Sequence, residues 1–271
     1  MSELQSDCSR FSIPSEIKEF IKNKKFTIDD IGKSGAQILC FDNMVLKMQK
    51  PGEEAGNERR MLEWLEGRLP VPRRIAFQRT ETMDYLLMSR MDGDMACADS
   101  MLDMPEVLAG ILAEGLKQLW SVDISRCPYV NNLDNKLRLA GLRVKNGLCD
   151  MEDAEKGTYG PGGFNGPHEL LEWLILHKPD EQLVFSHGDY CLPNIFVKDG
   201  HIRGFIDLGR SGAADMYQDI ALCLRSLKSN FGGVYNGRRR GDFNENMLFE
   251  ALGIIPDWDK IRYYILLDEL F

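Results

Sequence analysis

Apolar and polar positions change rhythm about a third of the way along the chain. Before that point the apolar residues fall in short runs that predict strands over Phe26 to Ile31, Gln37 to Phe41, Met44 to Met48, Arg74 to Gln78 and Asp84 to Ser89. Two helices interrupt them. One opens at Pro14, after Ser12, and runs to about Asn23 with Ile17, Phe20 and Ile21 on one face. The other covers about Glu53 to Glu66 and ends at Leu69-Pro70-Val71-Pro72. Beyond Met104 the period becomes helical: Val107, Leu108, Ile111, Leu112, Gly115, Leu116 and Leu119 recur at i, i+3, i+4 as far as Trp120. Further helices are predicted over Leu133 to Leu148, Glu169 to His177 after Pro167, Ala214 to Lys228, Phe243 to Leu252, and from Trp258 onward. The change of rhythm falls in the polar, Gly-bearing link Ser89-Arg90-Met91-Asp92-Gly93-Asp94. The expected fold is therefore α+β and two-lobed, with a β-rich lobe over 1–91 and a mainly helical lobe over 92–271.

Inside the helical part, three short β-prone runs return: Leu183 to Phe185, Ile195 to Val197 and Ile202 to Ile206. Lys198-Asp199-Gly200 between the last two is a hairpin signal, with Gly200 supplying a positive φ. The run His187-Gly188-Asp189-Tyr190-Cys191-Leu192-Pro193-Asn194 stands before the hairpin, and Gly204-Phe205-Ile206-Asp207 closes it. Folding the hairpin back brings Asn194 and Asp207 to one open end, with Asp189 above it. An Asp, an Asn five residues on and a second Asp form the catalytic order of protein kinases. Such a set can hold Mg²⁺-nucleotide and direct a hydroxyl onto the terminal phosphate. Asp189 is the candidate catalytic residue, and Asn194 and Asp207 are the candidate metal ligands. The bland alternative is a surface hairpin whose polar ends face water.

Lys47 lies between Leu46 and Met48 in a predicted strand. An ammonium there must reach water or find a partner, and Glu58 on the following helix is the candidate partner. A strand lysine held by a helix glutamate grips nucleotide phosphates in kinase-type sites; a surface lysine on an edge strand is the other reading. The link Gly32-Lys33-Ser34-Gly35-Ala36 reads equally as a phosphate-covering loop or an ordinary turn, and it is not a Walker loop.

Composition narrows the class. The chain has 271 residues, 44% hydrophobic and 28% charged, which suits a globular protein large enough for two lobes. The start, Met1 to Arg10, lacks the basic-then-apolar order of a signal peptide, and no apolar run approaches the roughly 20 residues that cross a bilayer. Seven cysteines without a Cys-x-x-Cys pair predict reduced thiols and a cytoplasmic protein. A charge of −9 argues against nucleic acid as the main partner and favours a cationic ligand. The basic run Arg238-Arg239-Arg240, set among Gly and Asn, reads as a solvated, mobile loop.

The chain also resembles a known family, the aminoglycoside 3′-phosphotransferases, kanamycin-type kinases that share the protein-kinase fold. The resemblance runs nearly end to end. Its motifs are Leu62-Glu63-Trp64-Leu65-Glu66-Gly67-Arg68-Leu69-Pro70-Val71-Pro72, Val122-Asp123-Ile124-Ser125 with Cys127-Pro128-Tyr129, the stretch from Val184 to Gly212, Pro256-Asp257-Trp258, and Leu267-Asp268-Glu269-Leu270-Phe271. The resemblance implies ATP and Mg²⁺ as cofactors, and a polycationic aminoglycoside as substrate of a monomer or homodimer. It implies Asp189 facing the sugar hydroxyl, Asn194 and Asp207 on the metal, and Lys47 on phosphate with Glu58 holding it. Ser34 and Ala36 would cover the phosphates, and Ser89 and Met91 would present backbone to adenine. Arg210 and Arg225 would line the substrate side. Asp268, Glu269 and the free carboxylate of Phe271 would receive the drug's ammonium groups, each charge-assisted hydrogen bond contributing roughly 1.5–3 kcal/mol. Two rivals remain at this stage. One is a kinase of the same fold for a choline-like or sugar substrate; the other is a catalytically silent nucleotide- or drug-binding module.

Overall fold

Five antiparallel strands build the first sheet of the structure, a computed structural model that describes residues 8, 11–29, 35–235 and 237–271. They are β1 (Thr27–Asp29), β2 (Gln37–Cys40), β3 (Met44–Gln49), β4 (Arg74–Arg79) and β5 (Asp84–Ser89), in the order β1-β2-β3-β5-β4. Strand alternation sets which side chains reach the site. On β3, Met44, Leu46 and Met48 pack into an outer core with Phe26, Leu39 and Phe41, so Lys47 falls on the opposite face. Helix α1 (Ser15–Ile21) covers that outer core with Ile17 and Ile21, whereas Phe20, expected beside them, is 45% exposed. On β5, Tyr85 and Leu87 join the outer core while Leu86 and Met88 face the other way. There they meet Met61, Leu62 and Leu65 of α2 (Glu53–Leu65) in one apolar core continuous with the helical part.

The remainder is built on helices around that larger core. After β6 (Asp94–Met95) come α3 (Asp99–Leu102), α4 (Pro105–Trp120), α5 (Leu133–Lys145) and α6 (Pro167–Leu176). Then follow β7 (Leu183–Ser186), β8 (Ile195–Lys198), β9 (His201–Phe205), β10 (Gly212–Asp215), α7 (Met216–Gly232), α8 (Asn246–Leu252) and α9 (Trp258–Asp268). The predicted hairpin is β8–β9, joined to β6 in a three-stranded sheet. Asp199 (φ 54°) as well as Gly200 (φ 76°) takes a positive φ, the double left-handed turn that matches strand twist. Strand β7 pairs instead with β10. The helix expected from Ala214 therefore starts two residues later, capped by Asp215, whose side chain accepts from Tyr217 N at 2.9 Å.

Two other expectations change. In the loop with three arginines Arg240 pairs with Asp99 and, at 3.1 Å, with Asp103, and Arg238 lies 3.7 and 3.6 Å from the same two carboxylates, while the Arg238 and Arg239 side chains stay largely in solvent as expected. Helix α5 stops at Lys145, and the apolar Leu142 and Leu148 beside its end line an open cleft rather than the core. Among the described residues no helix is long and apolar enough to cross a membrane.

Candidate active site

The face of β3 opposite the outer core carries Lys47 under α2. Its Nζ lies 2.9 Å from Glu58 Oε2 and 2.6 Å from Asp207 Oδ1. Glu58 is 2% exposed and Lys47 7% exposed, so the ammonium is held between two carboxylates away from bulk water. Burial works against its charge, but Glu58 and Asp207 outweigh that cost and raise its pKa above the ordinary lysine value. The alternative of a surface lysine on an edge strand is thereby removed.

Asp207 takes a left-handed backbone (φ 59°), uncommon for a residue with a Cβ. The loop after it is strapped by Asn57 of α2, whose Nδ2 donates to Gly209 O (3.0 Å) and Ser211 O (2.8 Å). Asn131 adds a bond to Arg210 O at 2.8 Å. The Asp189 loop presses against this segment. Gly188 has φ 82°, and a Cβ there would fall 2.1 Å from Arg210 O, so only glycine fits. Asp189 receives two hydrogen bonds from its own loop: Asn194 Nδ2 donates to Oδ2 at 3.0 Å and Cys191 Sγ to Oδ1 at 3.0 Å. Burial, and then the Asp189 charge, push the Cys191 thiol well above its ordinary range, so it remains an S–H donor.

Asn194 and Asp207 are linked through their backbones, Ile206 N donating to Asn194 O at 3.0 Å. With its amide nitrogen turned to Asp189, Asn194 has Oδ1 left, and among the described residues that oxygen accepts from none. One amide oxygen and one carboxylate are hard donors of the kind Mg²⁺ prefers, with nucleotide phosphates supplying the rest. The residues present fit that ion, although among the described residues no group of three His, Cys, Asp or Glu could hold a metal alone.

The nucleotide-side expectations divide. Ser34 lies outside the described residues, and Ala36 stands just before β2. Ser89 ends β5, its Oγ accepting from Arg73 N at 2.9 Å. Met91 follows in the link and lies over Gly204, where a Cβ would meet its methyl at 2.1 Å.

The substrate-side residues gather at the end of α9, though not as free anions. Asp268 is shared between Arg210 Nη1 (3.1 Å) and Arg225. Burial opposes its charge, and the two guanidinium groups override that, holding its pKa below the usual carboxylate range. Both Asp268 oxygens are engaged and Arg225 is one of their partners, so a ligand ammonium would share the carboxylate with these guanidinium groups. Arg210 does line the cleft. The main-chain oxygen of Phe271 accepts from Arg143 Nη2 at 2.6 Å, and the Phe271 ring lies within 5.3–5.7 Å of Lys136, Arg143 and Arg210. Glu269 differs. Its Oε2 accepts from Glu155 N at 3.2 Å, while Oε1 is buried with no hydrogen bond. Burial raises its pKa to about 7 against the pull of Glu155 N–H and Arg225.

Sequence reasoning missed Asp219. It is fully buried on α7, and it accepts from His187 N (2.7 Å) and Gly188 N (2.9 Å), seating the Asp189 loop. The available signal was an acid among the apolar residues of that helix. Asp219→Ala strands two buried N–H donors and should lower stability by about 2–5 kcal/mol, with a fall in kcat. Urea unfolding beside activity checks this; stability within about 0.5 kcal/mol of the parent, the range of an indifferent surface change, would contradict it.

Comparison with known proteins places the fold in a family. The model of a family described as "Phosphotransferase enzyme family" matches residues 34–264. An aminoglycoside 3′-phosphotransferase from Enterococcus faecalis is 40% identical over 276 residues, covering 97% of this chain and all of the relative. A crystal structure of an aminoglycoside 3′-phosphotransferase of type VIII superposes with TM-score 0.80 at 26% identity, covering 94% of this chain and 97% of the other. An aminoglycoside phosphotransferase from Streptomyces rimosus in complex with ADP and streptomycin superposes with TM-score 0.74 at 26% identity, over 89% and 94% of the two chains. With the two-lobed kinase-like fold in place and the match spanning most of its length, the chain belongs to the phosphotransferase enzyme family.

Proposed function

We infer that this protein transfers the γ-phosphate of ATP to the 3′-hydroxyl of an aminoglycoside, an activity that confers resistance to such drugs. The observation that carries the reading is the convergence of Lys47, Asp189, Asn194 and Asp207 at the end of one hairpin, in a chain 40% identical to an aminoglycoside 3′-phosphotransferase. Asp189, held by Cys191 and Asn194, orients the attacking hydroxyl and accepts its proton late, as a loose phosphoryl-transfer transition state requires. Lys47, kept charged by Glu58, grips the nucleotide phosphates. Asn194 Oδ1 and the Asp207 carboxylate would hold Mg²⁺, Asp207 then sharing itself between Lys47 and the ion. When bound, that ion would offset the charge that develops on the phosphates. Backbone at Ser89 and Met91 would receive adenine, and Ser34 and Ala36 would cover the phosphates.

On the drug side Glu269, whose Oε1 makes no hydrogen bond and lies 3.8 Å from Arg225 Nη1, would receive an ammonium, with Phe271 beside it. Only the carboxylate form attracts a cation, and its pKa of about 7 fixes the sign of the pH effect. As pH rises from 6 to 8 the ionised fraction grows, so the drug KM should fall by up to about tenfold. In Glu269→Gln the KM at pH 8 should rise and this slope should vanish. An identical pH slope in both proteins would contradict the assignment. The function itself is tested by ADP release in the presence of Mg²⁺ and kanamycin A. Drug-stimulated release is expected, and release from choline or simple sugars alone would overturn the reading.

A further inference from the structure

The cleft beside the Phe271 ring, about 560 Å³ in volume, is lined by more cations than a receptor for a polycation needs: Lys50, Lys136, Arg143 and Arg210 against Glu53 and Glu54. Three of these cations have partners or reach solvent. Arg143 donates to Leu148 O, Leu270 O and Phe271 O, Arg210 pairs with Glu54 and Asp268, and Lys50 is exposed. Lys136 is different. It projects from α5, is only 6% exposed, and its Nζ donates to no acceptor among the described residues. The Nζ lies 5.3 Å from the centre of the Phe271 ring. The stem of this lysine is buried while its ammonium opens on the cleft without a protein acceptor, and a ligand oxygen in the cleft would supply one. An ammonium on the ligand cannot, because it has only donors and repels the lysine.

We propose that Lys136 is a specificity-determining residue of the drug cleft, donating to a ligand hydroxyl and excluding an amino group at the same carbon. The inference rests on the aminoglycoside reading and refines it: these drugs carry hydroxyl and amino groups on similar rings, so a single donor in the wall sorts them. Glu269 attracts the cationic charge common to all of them, while Lys136 tells one member from another. Burial first, and then the Arg210 charge, lower the Lys136 pKa to about 8, against Asp268, Asp219 and Glu54. At neutral pH the group is therefore still mostly the charged donor the proposal requires.

The test uses two pairs of drugs that differ by one substituent: paromomycin against neomycin, hydroxyl or amine at C6′, and kanamycin A against kanamycin B, hydroxyl or amine at C2′. Steady-state kcat and KM are measured at pH 7 for the parent, Lys136→Met and Lys136→Gln, with melting temperatures alongside. In the parent, the hydroxyl member of at least one pair should be preferred about tenfold or more in kcat/KM, expressed mainly in KM. In Lys136→Met that preference should shrink to about twofold or less, chiefly through a lower KM for the amino member. Lys136→Gln removes the charge but keeps a donor, and serves if the methionine variant does not fold; there the amino member should gain while the hydroxyl member holds. Equal handling of both pairs by the parent, or an unchanged preference in a folded variant, overturns the proposal alone. Failure to turn over any of the four drugs overturns the aminoglycoside reading and this proposal with it.

Discussion

Replacing Asp189 by alanine should lower kcat for drug phosphorylation by about 10²–10⁴-fold, the range for loss of a positioned general base. The KM for ATP should stay close to that of the parent. The split follows from where Asp189 sits. Its contacts are Cys191 and Asn194 of its own loop, both at 3.0 Å, whereas the phosphate-side lysine is bound to Glu58 and Asp207. Removing the Asp189 carboxylate therefore leaves Lys47 and Asp207 in place for nucleotide. Asn194 Nδ2 keeps its bond to the Asp189 main-chain oxygen at 3.0 Å, so the Mg²⁺ requirement should stay close to that of the parent. Steady-state kinetics with kanamycin A, together with calorimetric titration of an ATP analogue, checks both halves. Turnover above a few per cent of the parent (the weak end of that range), or loss of nucleotide binding in parallel, would contradict the role.

Lys47→Met should damage both stability and catalysis, and a second substitution should separate the two. Glu58 is 2% exposed, and losing Lys47 leaves it buried beside Asp207 with no cation. Breaking a buried pair in this way costs about 3–5 kcal/mol. The catalytic loss comes from the missing charge on the phosphates, where one well-placed donor is worth roughly 10²–10³ in kcat. Adding Glu58→Leu converts the remnant to an apolar contact, and such replacements often recover the stability. The double variant should then melt near the parent temperature while its kcat/KM for ATP remains depressed. Recovery of activity along with stability would show that Lys47 acts only as a structural tie.

The parts of this protein that were legible in the sequence are those set by local rules. The β8–β9 hairpin is announced by alternating β-prone runs around Asp199-Gly200, and that turn brings Asn194 and Asp207 together. Lys47 is visible because a charge in an apolar strand needs a partner, and a helix with Glu58 follows at once. Helix α4 follows its apolar period from Pro105 to Trp120. Strand β10, by contrast, is Gly-Ala-Ala-Asp, a sequence with no β preference of its own, and it is a strand because β7 pairs with it.

Electrostatic partners were the least legible feature. A chain shows how many acids and bases it has, but not which of them meet. Arg210, Arg225 and Asp268 look like three separate groups along the sequence, and folding joins them as one bonded triad at the cleft. The same holds for Arg240, expected in solvent and found against Asp99 and Asp103, more than a hundred residues earlier. Asn57 and Asp219 were missed because their purpose is to satisfy backbone groups of a distant loop. Only the fold reveals that need.

The account stands or falls on where the phosphate goes. Incubating the protein with Mg²⁺, ATP and kanamycin A, and locating the new phosphate by ³¹P–¹H correlation NMR, tests this most directly. The prediction is a single monophosphorylated product bearing phosphate on the 3′-oxygen, absent when Asp189 is alanine. Phosphate on another position of the drug, or ADP formed with no phosphorylated drug, would contradict it.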